Sequence, residues 1–291
     1  LTAIEEMVVI VGCIVVIVGV LGGFTMAGGH MHALIHPSEI VTIGGASLGA
    51  LIVMSPKKVL IDMVKGVLQT VKGSPYSHKA YAQLFEMMYE LLRVVKREGM
   101  LGIEKHLAAP HESTIFTKYP IGKDKRVITF LCDGMMPLVD GSASKDDLPE
   151  LFEAELHTME EELHAPAMAL AKTADALPGF GIVAAVLGIV ITMGHIDGPP
   201  AEIGHKVGAA LVGTFLGILA SYGFFGPLAT RMESIGHEEL SFFRTLSIMI
   251  MQAAHGVSPK VVIERARRGV ATECRPSRED LEKMFSEAKA A

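Results

Sequence analysis

Four long apolar runs dominate this chain, and they fall into two pairs. Met7–Gly29, Ala33–Met54, Pro178–Gly194 and Val207–Ala229 are apolar throughout or nearly so. A helix needs about 20 such residues to cross the hydrocarbon core of a bilayer. Ala33–Met54 is the least regular of the four. Its uninterrupted part begins at Ile40, and Pro37 and Glu39 mark a helix start at its outer end. For that segment alone, a buried helix of a soluble domain is the alternative. Polar sequence fills Ser55–Leu177 between the pairs and Thr230–Ala291 after them. Half the residues are apolar (50%), 20% are charged, and the mean hydropathy is +0.40. That balance is too apolar for an ordinary soluble domain and too charged for a wholly embedded one.

Charge placement predicts the orientation. Lys57 is the first basic residue of the chain; Lys57 and Lys58 follow the second run, and Arg231 follows the fourth. The loop HMHALIH has no Lys or Arg, and GHIDGPPAEIGHK has only Lys206. Basic residues favour the cytoplasmic side, so both polar regions and both termini are expected inside. Glu5 and Glu6 stand where a cleavable signal would carry basic residues, so no such signal is expected. Trp is absent, so no Trp belt can mark the interfaces.

The polar regions read as helical. Tyr81, Leu84, Phe85, Met88, Leu92 and Val95 recur at three- and four-residue steps. Leu148, Leu151, Phe152, Leu156, Met159 and Leu163 do the same. RVITFLC (Arg126–Cys132) fits a strand or a buried helix equally well, and Ser277–Asp280 resembles a helix N-terminal capping box. The fold class expected is all-α, a polytopic membrane protein with four transmembrane helices in two pairs and a helical cytoplasmic domain. The division expected is 1–54 for the first pair, 55–177 for the cytoplasmic domain, 178–229 for the second pair and 230–291 for a helical tail.

Several function classes have no support. The net charge is −6 with scattered basic residues, so no nucleic-acid partner is expected. Cys13, Cys132 and Cys274 lie far apart and read as reduced thiols. His30, His32 and His36 lack a partner Cys or carboxylate at metal-ligand spacing, so no metal is expected. No phosphate-binding loop, nucleophile elbow or zincin motif is present, and no enzyme is expected.

The runs of the second pair carry small faces. Gly181, Ala185, Gly188 and Thr192 share one helix face, widened by Ala184. Ala210, Gly213, Thr214, Gly217 and Ser221 share another. Such faces admit close backbone contact. They can pack on each other, or on copies and partners of the chain; GVLGG (Gly19–Gly23) and GGASLG (Gly44–Gly49) add more small surface. The span interiors hold no Asp, Glu, Lys, Arg or His, and Glu39, His195 and Lys206 fall at span ends. A transporter normally keeps an ionisable group at mid-depth. If an ion crosses here, its binding group is expected from another chain. Pro178 reads as the first turn of the third span, where proline is well tolerated. Pro227 is expected to break or kink the end of the fourth. At one depth, the two prolines could form a hinge.

LPGFGIVAAVLGIVITMG and VGAALVGTFLGILASYGFFGPLA resemble the third and fourth spans of the MotA family of flagellar motor stator proteins. The likeness extends to GGFTMAGG, PSEIVTIGGASLGALIV, REGMLGIEKH and RPSREDLE, and so over nearly the whole chain. The resemblance implies a homopentamer in the bacterial inner membrane around a MotB-like single-span partner, whose Asp binds the ion. The second pair of spans would line the ion path, and rotation would act on the rotor switch-ring protein FliG. Position by position, Pro178 and Pro227 match two functional prolines. Thr214 matches a threonine beside the path, and Thr192 and Ser221 are further hydroxyls that could line it. Ala185 stands where proton-driven members carry Ala and sodium-driven members Thr, which argues for H+ over Na+ and for no cofactor. Glu104 fits a torque-generating Glu, and Lys96 or Arg97 the paired cation. Gly181, Gly188, Gly213 and Gly217 fall to helix packing. A TolQ/ExbB-type energising subunit is the alternative within the superfamily, disfavoured by four spans in two pairs. A self-contained transporter and a passive helical scaffold are the alternatives outside it.

Overall fold

The computed structural model describes residues 2–290. Among them every regular element is a helix and no strand occurs. In chain order the α-helices are α1 (Thr2–Met26), α2 (Pro37–Met54), α3 (Lys57–Lys72), α4 (His78–Glu98), α5 (Glu104–Ala108), α6 (Lys125–Val139), α7 (Leu148–Met193), α8 (Pro200–Ala220), α9 (Gly226–Ala254), α10 (Pro259–Gly269) and α11 (Arg278–Ala290). The four stretches long and apolar enough to cross a membrane lie in α1, in Met31–Met54, in α7 and in Pro200–Ala254.

The chain divides into two compact units. The first takes residues up to 73 and 162–236, and the second takes 74–161 and the residues from 237 onward. In the first unit α1 leaves Val8, Ile14, Val15 and Val18 exposed. That surface is what a lipid-facing helix presents. The packed interior joins Leu51 of α2, Met63 of α3, Ala169 and Leu170 of α7, and Ala229 and Met232 of α9. Gly66 of α3 faces Met232, and a Cβ there would stand 2.4 Å from the sulfur. A second cluster joins Ile43 of α2 to Leu177 and Ala184 of α7.

The second unit has an aromatic core. Phe85, Phe116, Phe130, Phe242 and Phe243 are fully buried. Tyr76 stacks on Phe242 at 4.2 Å between ring centroids, and Phe130 meets Phe243 at 5.2 Å. Arg126 lies over the Phe243 ring at 5.4 Å and donates to Glu239. The apolar stripe of α4 turns inward as its spacing predicts, with Tyr81, Leu84, Phe85, Met88 and Leu92 buried. Of the stripe that runs into α7, Leu148, Phe152 and Leu156 are buried, while Leu151 is exposed. RVITFLC is helix, not strand. Asp124 caps α6 by accepting from the backbone N–H of Arg126 and of Val127, which fixes the first turn. The box before α11 forms as the sequence predicts. Ser277 Oγ and Asp280 Oδ2 are 2.7 Å apart, and each side chain accepts the other residue's backbone N–H.

Two expectations about proline change. Pro178 does not open a helix; it lies deep inside the 46 residues of α7, as does Pro166. The sequence marks a boundary there only because the apolar run begins, and helical backbone needs no such boundary. Pro227 does not break its helix either. A π-helical turn, Ser221–Phe225, joins α8 to α9 just before it. The N–H of Gly226 donates to the carbonyl of Ser221, five residues back. Proline's ring clashes with the carbonyl four residues earlier in a regular α-helix, and the wider turn relieves that clash.

Candidate functional site

The membrane halves of α7 and α8 meet along their glycines. A Cβ on Gly181 would stand 2.8 Å from the Gly213 carbonyl oxygen and 3.2 Å from the Thr214 Cα. On Gly188 it would stand 2.7 Å from the Ala210 Cβ, and on Gly217 2.6 Å from the Leu177 carbonyl oxygen. Real Cβ atoms do not approach backbone so closely, so these positions must be glycine for the helices to touch. The faces that the sequence pattern leaves open to a neighbour are therefore filled, in the single chain, by each other.

This packing places the hydroxyl and alanine positions. Ala185 and Thr192 of α7 are buried, as is Ser221 at the start of the π turn. Thr214 of α8 is half-buried. Thr192 Oγ1 donates to the Gly188 carbonyl at 2.8 Å, a bond within its own helix and not across the junction. The bulky residues face out. Ile182, Val183, Val186, Leu187 and Val190 of α7 are exposed, and so are Leu211 and Ile218 of α8. The glycines of α1 and α2 at 19, 22, 23, 44, 45 and 49 have nothing within 4 Å of a Cβ position.

Pro227 borders a cavity of about 410 Å³ in the first unit. Pro178 has no N–H to give to the carbonyl of Ala174. Ala174 lines this cavity with Pro227, Tyr222, Asp175, His164 and Glu233. His164 and Glu233 are 3.8 Å apart.

In the second unit, Lys96 and Arg97 lie in the last turn of α4, exposed. Gly99, at φ +77°, ends the helix in a conformation that only glycine adopts easily. A short turn then leads to Glu104, the exposed first residue of α5. Arg97 is already engaged by Glu98 at 2.6 Å, whereas Lys96 makes no ion pair among the described residues.

Glu39 is the residue whose surroundings the sequence did not reveal. It is the third residue of α2, at the helix start as expected, yet it is only 8% exposed. Its carboxyl packs against Gly213, in α8. The sequence signal available was a single acidic residue inside an apolar run; the contact that matters comes from a helix far along the chain. No group of three or more His, Cys, Asp or Glu side chains able to hold a metal occurs among the described residues.

Comparison with known proteins adds the lineage. Residues 10–99 match the family described as Motility protein A N-terminal, and residues 123–244 match the MotA/TolQ/ExbB proton channel family. Motility protein A of Salmonella typhimurium is 36% identical over 95% of this chain and 94% of its own length. Chemotaxis protein LafT of Vibrio parahaemolyticus is 35% identical over 95% of this chain and 97% of its own. Among solved structures, the C. jejuni MotAB structure matches 94% of this chain and 99% of its own, with a TM-score of 0.78 at 20% identity. The flagellar MotAB stator complex from Bacillus subtilis matches with a TM-score of 0.71 at 22% identity, covering 91% of this chain and 97% of its own.

Proposed function

This chain belongs to the Motility protein A family, within the MotA/TolQ/ExbB proton channel group, and from that premise we propose that it is a stator subunit of the flagellar motor. It sits in the bacterial inner membrane with both termini and the charged helices in the cytoplasm. Five copies surround a MotB-like single-span partner, which contributes the ion-binding Asp. Protons moving past the partner drive the ring, and the ring turns the rotor switch-ring protein FliG. The electrical part of the gradient supplies about 2.3 kcal/mol per charge for each 100 mV. The chain makes and breaks no covalent bond.

The near full-length likeness to a curated motility protein carries this reading. The geometry supports it in several places. The glycine junction holds α7 and α8 as one rigid pair whose exposed apolar flank suits a partner's helix in the bilayer. Ala185, Thr192, Thr214 and Ser221 then lie just behind the surface that the partner's carboxyl passes. The open glycines of α1 and α2 suit contact with neighbouring copies. Pro178, inside α7, and Pro227, beside the π turn, form the hinge by which events in the membrane reach the cytoplasmic helices. Lys96, Arg97 and Glu104 present exposed charge to the rotor. Ala185 offers no hydroxyl for a partly dehydrated Na+, so the coupling ion is the proton.

The test is co-purification with a single-span protein bearing a membrane-embedded Asp, followed by reconstitution in vesicles. The complex is expected to form, and to admit protons only while that Asp is present. A well-folded chain that captures no such partner overturns the reading.

A further inference from the structure

Two carboxylates are buried among the described residues, Glu39 and Glu239. They differ in one respect. Glu239 accepts from Arg126. Glu39 Oε2 is buried with no hydrogen-bond partner, inside a stretch apolar enough to span a membrane. Buried polar groups are almost always partnered, so an exception calls for a role.

The backbone around this carboxyl is cut to admit it. A Cβ on Gly213 would stand 2.6 Å from Glu39 Oε2, 3.1 Å from the Ala184 Cβ and 3.3 Å from the Gly181 carbonyl oxygen. Any side chain at 213 would take the space that the carboxyl occupies. Glu39 therefore reaches the same glycine junction that joins α7 to α8. It also lies in the first turn of α2, where the free N–H groups and the helix dipole favour negative charge. Oε2 is thus open to a new partner without the loss of an existing hydrogen bond. The titratable groups toward the helix starts are His36 and His205, with ring centroids 6.5 Å apart, and Lys206, which is paired with Glu202 at 3.4 Å.

We propose that Glu39 is a proton-binding site belonging to this chain itself, on the outer side of the α7–α8 junction. A proton arriving past His36 and His205 binds Glu39 Oε2. The neutral acid then releases it inward, toward the partner's carboxylate. The assignment deepens the stator reading and rests on it. The path therefore has two carboxyl stations, one from each kind of subunit.

The experiment uses the complex of the full chain with its single-span partner, reconstituted in vesicles. Glu39→Gln keeps the shape of the side chain and removes the exchangeable proton. It is expected to slow proton uptake at least tenfold in a normally assembled complex, and Glu39→Asp to restore part of the rate. An apolar carbodiimide, which attacks only protonated carboxyls, is expected to modify Glu39 in the wild-type complex, located by peptide mass spectrometry. Uptake by Glu39→Gln at the wild-type rate overturns the proposal and leaves the stator reading intact. Failure of the carbodiimide to modify Glu39 overturns it as well, whether or not the variants assemble. A wild-type complex that conducts no protons overturns the stator reading, and this proposal with it.

Discussion

A Cβ on Gly217 would stand 2.6 Å from the carbonyl oxygen of Leu177, the residue that precedes Pro178. The same Cβ would meet the Gly181 Cα at 3.0 Å. Both contacts are to backbone, which cannot step aside as a side chain can. Gly217→Ala is therefore expected to force α7 and α8 apart, at about 1–3 kcal/mol for overpacking. Thermal unfolding of the detergent-solubilised chain measures it. Gly12→Ala in α1, with nothing within 4 Å, is the control and should leave the midpoint unchanged.

Pro178 stands inside α7, so replacing it by alanine restores a backbone N–H to the helix. An interior proline costs a helix about 3 kcal/mol relative to alanine, less where a membrane context accommodates it. Pro178→Ala is expected to be at least as stable as the natural chain and normally assembled, yet unable to turn the motor. Tethered-cell rotation together with membrane abundance decides this. Normal rotation would leave the proline with a purely local role.

Ala185 is buried and offers only a methyl group. Rotation is expected to persist in sodium-free buffer and to stop when the proton gradient is collapsed. Loss of rotation on removing sodium would reverse the assignment of the coupling ion.

Lys96 carries exposed charge without an ion pair among the described residues, while Glu98 engages Arg97. Lys96→Glu is therefore expected to lose more torque than Arg97→Glu. Both losses, and that of Glu104→Lys, should be recovered by opposite charges on the rotor. Torque measured on beads, unchanged in all three variants, would make these residues an ordinary solvated surface.

Glu264 of α10 is held by Arg267 at 3.0 Å and Arg268 at 2.9 Å. The hydrogen bonds from Arg267 come first among the causes that bring its carboxyl down from 4.5 to about 2. A carboxyl depressed in the folded chain adds stability above its unfolded pKa, and that stability is lost as pH falls through the folded value. Glu264→Gln should thus be less stable than the natural chain at pH 7, by about 1 kcal/mol for a partly exposed pair. The gap should close between pH 4.5 and pH 2. Thermal unfolding across that range measures it.

The elements whose signals are local were legible in the sequence. The stripe of α4 and the Ser277–Asp280 box depend on residues three and four apart, and both formed as read. RVITFLC was ambiguous because a short apolar run carries no period of its own; the cap at Asp124 resolves it. The length of α7 was hidden because Pro178 coincides with the change from polar to apolar sequence, a change that concerns the solvent and not the backbone. Glu39 was hidden for a different reason. Its environment is made by Gly213 and Ala184, and no pattern along α2 encodes them. The small faces were legible as faces, but not their occupant, since a glycine stripe suits a helix of the same chain as well as one from another.

The π turn at Ser221–Phe225 holds one residue more than an α-helical turn would. Each residue of an α-helix advances the chain by about 100° and 1.5 Å. Tightening that turn to α-helical spacing would rotate the start of α9 by about 100° relative to α8. Widening it again would undo the step. The backbone next to Pro227 thus stores one quantum of rotation, reversible and already paid into the helix.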